Sequence, residues 1–160
     1  MSGTFTIFSQ EPSARVPLAA LLRSAGTHFR SSINVVFERG VDERGDATTT
    51  TLRLFVENER LGIAEHFDIA TRARRPEDLA RAEEAERRGR AAGMATLAAR
   101  CPTVWELSAS GGEVGTFLLC AMLASVALGP VMPPDGATLY GVRGAMERAD
   151  RAAGAGALER

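Results

Sequence analysis

The stretch "GTFLLCAMLASVALGPVM", residues 115–132, decides the fold, because no charged residue occurs between Glu113 and Asp135. Its composition predicts a helix over residues 113–128, and the Gly129–Pro130 pair that follows is a strong helix stop. A helix of about 15 residues is short of the roughly 20 apolar residues needed to cross a bilayer. Apolar side chains on all sides are typical of a helix buried in a soluble domain. The stretch is therefore predicted to be core and not a membrane anchor.

The composition fits one globular domain with a sizeable core. The chain has 160 residues, of which 45% are hydrophobic and 24% are charged, and its formal net charge is −1. A domain of this length buries roughly two-thirds of its unfolded surface, and so balanced a charge does not indicate a nucleic-acid partner. All 19 basic residues are arginine, which excludes Schiff-base chemistry and a phosphate-binding P-loop lysine.

The cysteine content and the N-terminus indicate a cytoplasmic protein. Cys101 and Cys120 are the two cysteines, and a secreted domain stabilised by disulfides would normally have more. The segment "MSGTFTIFSQEPSAR" lacks the basic start and the apolar run of a signal peptide. We therefore expect the chain in the cytoplasm, with no membrane partner.

The first half of the chain combines strands with one short helix. "TFTIFS", residues 4–9, is predicted as a strand, and Pro17 and Gly26 bound a short helix. "SINVVFERG" and "TTTTLRLFVE" are predicted as the two arms of a β-hairpin around the polar segment "VDERGD". Residues 62–70 alternate like a strand, but so short a segment is also compatible with a loose helix.

The second half is mostly helical. Pro76 and the pairs of Glu and Arg four residues apart predict one long helix over residues 76–100, which "RCP" ends. "TVWELS" is then a short strand, the buried helix follows, and "MPPDG" is a turn. "ATLYGVRGAMERADR" is predicted as the last helix. We expect one domain over residues 1–152 and a flexible tail over residues 153–160.

The order of elements predicts the fold class. Sequential strands joined by a short turn favour an antiparallel sheet packed with helices, so we predict a single α+β domain that includes one fully buried helix. A doubly wound parallel sheet is the alternative, and the early hairpin counts against it.

One acid–histidine cluster offers a catalytic alternative. Glu65, His66 and Asp68 are close in sequence, and an adjacent carboxylate can orient a histidine that acts as a general base. If this segment is a strand, Glu65 points to the face opposite His66 and Asp68. No strong nucleophile accompanies the cluster. A structural role is favoured, and a small hydrolase or lyase is the alternative function.

No spacing in the sequence indicates a metal or cofactor site. The two histidines and two cysteines are scattered and never show C-x-x-C or H-x-x-x-H spacing. "SASGG" lacks the spacing of a nucleophile elbow. "GAGA" near the C-terminus follows a helix, whereas a dinucleotide-binding loop must connect a strand to a helix. We expect no metal and no cofactor.

The leading hypothesis is a small, non-enzymatic, protein-binding domain that acts through its surface, such as an inhibitor, an immunity-type protein or an adaptor. Loops on a rigid scaffold often carry binding, so the hairpin is the first candidate contact surface. Its predicted contact residues are Glu38, Arg39, Asp42, Glu43 and Arg44. The expected partner is another protein, for example a toxin or an enzyme, and a homodimer stays open.

Small residues recur along one side of the predicted long helix. They are Ala82, Ala85, Gly89, Gly93 and Thr96. Glycine inside a helix costs about 1 kcal/mol relative to alanine, so two glycines on one side indicate a packing reason. We predict that this side packs inside the domain, most firmly at Gly93, and not against a partner chain.

Overall fold

The computed structural model describes residues 3–40, 49–109 and 111–158. The strands are β1 (Thr4–Ser9), β2 (Ser32–Arg39), β3 (Thr49–Asn58), β4 (Ile63–Ala73), β5 (Thr103–Ser108) and β6 (Val131–Met132). The helices are α1 (Leu18–Phe29), α2 (Pro76–Gly89), α3 (Met94–Ala99), α4 (Glu113–Ala127) and α5 (Val142–Leu158). Within these ranges the strands form one sheet in the order β2-β3-β4-β5-β1-β6.

The sheet confirms the predicted α+β class. Every pair of neighbouring strands in the described ranges is antiparallel, so the doubly wound parallel alternative is wrong. β2 and β3 pair as the two arms of the predicted hairpin. Residues 62–70, which the sequence left open, belong mostly to β4. This segment is a strand because its backbone groups are paired with β3 on one side and β5 on the other.

One face of the sheet, here called the inner face, carries the larger core. The buried helix α4 lies in this core together with residues from α1 and α5. Leu119, Cys120 and Leu123 are fully buried, which confirms the helix predicted over residues 113–128. α4 is apolar all round because neighbouring elements surround it: it contacts the sheet as well as α1 and α5.

The opposite, outer face is covered in part. α2 and α3 bury Ala82, Ala85 and Ala98 against Phe8 and Val104. Met132 of β6 belongs to the same cluster, so this helical layer lies over β1, β5 and β6. No helix among the described residues buries an apolar side chain against the outer face of β2, β3 and β4.

The predicted long helix over residues 76–100 is wrong, since two helices occupy this segment. Arg90 and Gly93 both adopt the left-handed conformation, with φ angles of 52° and 88°, and the chain turns between them. Gly93 therefore precedes α3 and does not lie inside a helix. A Cβ atom at Gly93 would meet no atom within 4 Å, so the predicted internal contact at Gly93 is also wrong.

The rest of the small-residue side behaves unevenly. Ala82 and Ala85 are fully buried. A Cβ atom at Gly89 would lie 2.7 Å from the Cα atom of Thr138, so glycine is needed there for the close approach of α2 to the 133–140 segment. Thr96 is exposed. The predicted internal packing is therefore confirmed for the small residues of α2, and it is wrong for Gly93 and Thr96, which lie beyond the end of α2.

α1 is longer than predicted. It continues through Gly26 to Phe29 and ends at Arg30, which has a φ of 50° and donates its amide N–H to the carbonyl of Ala25. Gly26 is therefore a helix residue and not the stop. Its Cβ position meets one backbone atom at 4.0 Å, which gives no packing reason for glycine.

The C-terminal boundaries also differ from the prediction. Tyr140 exchanges backbone hydrogen bonds of 2.7 and 3.0 Å with Val131, so residues 137–140 are not helical and α5 begins at Val142. The short strand β6 was not predicted, because two residues carry no periodicity. The tail predicted over residues 153–160 is helical as far as Leu158.

Candidate partner-binding surface on the open half of the sheet

Side chains on the outer face of β2, β3 and β4 form the candidate site. Alternate residues of a strand point to the same face, so three neighbouring strands contribute to one surface. We call the following side chains the open face: Phe37, Arg39, Arg53, Phe55, His66 and Asp68. All of them are half-buried or exposed.

Two guanidinium groups lie against the ring of Phe37. The Cζ atom of Arg39 is 4.7 Å from the ring centroid and that of Arg53 is 5.7 Å away. Arg53 is the cross-strand partner of Phe37, and Arg39 lies two residues further along β2. Both distances are within the range of cation–π attraction, so the two arginines hold the aromatic side chain on the sheet surface.

A second aromatic pair lies on the neighbouring strands. Phe55 and His66 are opposite each other in the β3–β4 register, and their ring centroids are 4.7 Å apart with an interplanar angle of 48°. Cross-strand aromatic pairs of this kind stabilise a sheet modestly. The imidazole of His66 is therefore packed on Phe55, and its position is explained by this contact.

Asp68 is engaged by Arg53. The Nε and Nη2 atoms of Arg53 donate to the two carboxylate oxygens of Asp68 at 2.8 and 3.1 Å. This bidentate hydrogen bonding is the main reason why the pKa of Asp68 lies below its usual value. Asp68 is thus an ionised partner of Arg53, and both of its carboxylate oxygens accept hydrogen bonds from Arg53.

Glu65 lies on the other face of β4, as expected for a strand. Its Oε2 atom accepts the backbone N–H of Gly112 at 3.1 Å, directly before the first residue of α4. A Cβ atom at Gly115 would lie 3.0 Å from the same oxygen, so glycine leaves room for the carboxylate. A carboxylate at a helix N-terminus is stabilised by the helix dipole. Glu65 therefore caps α4, and the structure does not bring Glu65, His66 and Asp68 together.

The predicted hairpin contact residues divide into three groups. Arg39 belongs to the open face. Glu38 points to the other side of β2, where Arg15 donates to its carboxylate at 2.8 and 3.3 Å. Asp42, Glu43 and Arg44 lie outside the described residues.

The edge of the sheet beside the open face was missed by sequence reasoning. β2 pairs only with β3 in the described sheet, and a β-bulge between Val35 and Phe37 displaces Val36 from the register. Val35 and Val36 are 37% and 51% exposed. The signal was present in the sequence, because two adjacent valines interrupt the alternation expected of a half-buried strand.

The described residues do not support a reactive thiol, a metal site or a transmembrane helix. Burial raises the pKa of the Cys101 thiol to about 11 and also raises that of Cys120, so neither is a reactive thiolate at neutral pH. The described part of the chain contains no group of three or more histidine, cysteine or carboxylate side chains that could hold a metal. Among its helices, none has both the length and the apolar character of a transmembrane span.

Comparison with known proteins finds no matching family model, no matching curated protein and no matching solved structure.

Proposed function

We propose that the chain is a small cytoplasmic protein-binding domain, without an enzymatic role, that contacts another protein through the open face and the exposed edge of β2. The observation that carries the proposal is the half-covered sheet. Aromatic rings and arginine side chains occupy the face that no described helix covers. Arg and aromatic residues are enriched in protein interfaces.

The edge of β2 supports the same assignment. An edge strand presents unpaired backbone groups, and proteins usually protect such edges with charges, proline or a bulge. Here the bulge at Val36 limits pairing with another strand, while the exposed side chain of Val36 adds apolar surface at the edge, beside Phe37 in the chain. The combined surface provides apolar contact at the edge and charged groups beside it.

An inhibitor or immunity-type protein that covers a toxin or an enzyme fits this surface, and an adaptor is the alternative within the same class. A rigid sheet undergoes little change on binding, which suits a protein that must bind one partner tightly. Surface chemistry supports this assignment and the fold does not, because one fold supports many functions.

The proposal is tested by affinity purification from the native cell followed by mass spectrometry, with matched variants. We expect Arg39→Glu and Val36→Asp to lose a partner that the wild type retains, since both place negative charge on the proposed contact surface. Arg23→Glu makes the same charge change on an exposed residue of α1, in the layer on the inner face, and should retain the partner. Equal loss in all three variants would refute the assignment of the surface.

His66 separates binding from catalysis. We expect His66→Ala to keep the biological activity within a few-fold of the wild type, because the ring packs on Phe55 and no carboxylate among the described residues is hydrogen-bonded to it. General-base catalysis contributes about 10²-fold or more. A loss of that size with folding and partner binding intact would instead support the hydrolase or lyase.

A further inference from the structure

A cleft on the far side of the sheet from the open face has features of a small-molecule site. Its volume is about 400 Å³, which lies within the range of ligand pockets. It is formed by the start of the sheet, the 133–140 segment, α4 and α5. The residues that line it include Phe5, Phe117, Pro134, Asp135, Tyr140 and Arg148.

Hydrogen bonds and packing within the chain hold the walls of this cleft in place. Tyr140 is fixed by its two backbone hydrogen bonds to Val131. Arg88 of α2 reaches across and donates to the carbonyls of Asp135 and Gly136 at 3.0 and 3.2 Å. The close approach of Gly89 to Thr138 braces the same segment. A pre-formed site loses less conformational freedom when it binds a ligand.

One side of the cleft is apolar and aromatic. Phe5 and Phe117 meet edge to face, with ring centroids 5.9 Å apart, and Pro134 also lines the cleft. Phe5 is almost completely buried and supports Phe117, which is partly exposed. An apolar or aromatic ligand body would therefore find the Phe117 ring and Pro134 in the wall of the cleft.

The other side carries a positive charge. The Cζ atom of Arg148 is 3.9 Å from the centroid of the Tyr140 ring, and its Nη1 atom donates to the carbonyl of Gly144 at 3.0 Å. Burial raises the pKa of the Tyr140 hydroxyl, so the ring is neutral at pH 7. Among the described residues no carboxylate forms an ion pair with Arg148. Its remaining N–H groups are available to an anion.

We propose that this cleft binds a small monocarboxylic acid with an aromatic or branched apolar body. The carboxylate pairs with Arg148, whose planar guanidinium matches the geometry of a carboxylate, and the body packs on Phe117 and Pro134. Asp135 also lines the cleft and disfavours a second negative group on the ligand. The site is independent of the proposed protein-binding surface, because the two lie on opposite sides of the sheet.

The test uses simple probes and the full chain, followed by amide NMR. We expect 3-phenylpropionate to shift the signals of Ala137, Thr138 and Tyr140 in a saturable way. The neutral 3-phenylpropan-1-ol should bind about tenfold more weakly or worse, since its hydroxyl can accept a hydrogen bond from Arg148 but cannot form the bidentate ion pair of a carboxylate. The cationic 3-phenylpropylamine should not bind at the cleft.

Three variants complete the test. Arg148→Gln should weaken 3-phenylpropionate binding by about tenfold or more, while Arg143→Gln, a change at an exposed arginine of the same helix, should leave it unchanged. Asp135→Asn should strengthen 3-phenylpropionate binding severalfold, because it removes a negative charge that repels the ligand carboxylate. This variant still tests the proposal if Arg148→Gln does not fold. Equal affinity for the three probes, shifts centred elsewhere, or weaker binding by Asp135→Asn would overturn the proposal.

Discussion

The two halves of the sheet differ in what covers them. In β1 and β5, adjacent residues are buried on opposite faces: Ile7 and Trp105 lie in the core with α4, whereas Phe8 and Val104 lie under α2 and α3. In β3, buried residues such as Leu52 and Leu54 alternate with exposed ones such as Arg53. A strand buried on both faces is typically apolar throughout, and a strand buried on one face typically alternates. β3 follows this rule, whereas the two-sided strands β1 and β5 include Thr6 and Glu106. The difference between the two halves therefore depends on the covering helices and not on the strand pattern alone.

The ion pairs of the two halves also differ in how far they are exposed to solvent. Arg72, at the boundary of the covered half, binds Asp78 and Glu106 at 2.7 Å each, and the Arg72 and Asp78 side chains are 16% and 6% exposed. The Arg53 and Asp68 side chains in the open half are 44% and 41% exposed. The first cluster anchors the start of α2 to the sheet. The second is screened by water and stays accessible to a partner.

The largest expected effect is in the covered core. Leu119→Asp or Leu123→Asp should unfold the domain. A typical domain is stable by only roughly 5–15 kcal/mol, and an unpaired buried charge costs more than that. Leu128→Asp is the matched control, since Leu128 is exposed just beyond α4. Circular dichroism would check both. A folded Leu119→Asp variant would contradict the assignment of α4 to the core.

The next effect concerns the anchor of α2. Asp78→Ala should lower the free energy of unfolding by roughly 3 kcal/mol, because it leaves Arg72 with one buried partner fewer. Glu77→Ala, at an exposed position of the same helical turn, should cost less than 1 kcal/mol, roughly the contribution of a surface charge near a helix end. Urea denaturation measures both. A similar loss in the two variants would show that Asp78 acts only through the helix dipole.

Asp78 also predicts a pH dependence. Burial opposes its ionisation, but hydrogen bonds from the Arg72 guanidinium and the Arg75 amide outweigh this, so its pKa lies below the usual value. A depressed folded-state pKa stabilises the fold above the unfolded pKa, about 3.9, and this stability is lost as the pH falls through the folded pKa. The difference in stability between the wild type and Asp78→Asn should therefore shrink below about pH 4. A difference that is constant from pH 7 to pH 3 would contradict this account.

Substitutions at Gly89 and Gly93 should lower the free energy of unfolding by an intermediate amount, for two different reasons. Gly89→Ala should cost about 1–3 kcal/mol through overpacking against Thr138, and Thr138→Gly should relieve part of that cost. Gly93→Ala should cost about 1–2 kcal/mol through its left-handed backbone alone, with no relief from Thr138→Gly. Melting temperatures in a double-mutant cycle measure the coupling. Equal coupling at both positions would be inconsistent with the described packing.

The smallest effect is in the open half. Arg53→Ala should leave the free energy of unfolding almost unchanged, because a half-exposed ion pair contributes little to stability. The same variant should weaken partner binding if the open face is the contact surface. Chemical denaturation and a binding assay check the two parts separately. A large loss of stability would show that the ion pair supports the fold in the way that Arg72 and Asp78 do.

Several parts of the candidate site could be predicted and others could not. The alternation of β4 placed Glu65 opposite His66, and the structure agrees. The role of Glu65 as a cap of α4 was not predictable, because Gly112 is distant in sequence and only the β4–β5 pairing brings it near. Arg39 was identified as a contact candidate by its charge. Phe37 and Phe55 were overlooked, since an aromatic residue in a strand is more often part of a core.

The sequence by itself determined the elements with strong local signals: the uncharged helix α4, the hairpin of β2 and β3, and the antiparallel α+β class. Only the tertiary structure decided the break between α2 and α3, where the left-handed conformations of Arg90 and Gly93 override a pattern of charges typical of one long helix. It also decided which faces stay uncovered. Periodicity reports that a residue can be buried, but which element covers it depends on contacts between distant segments.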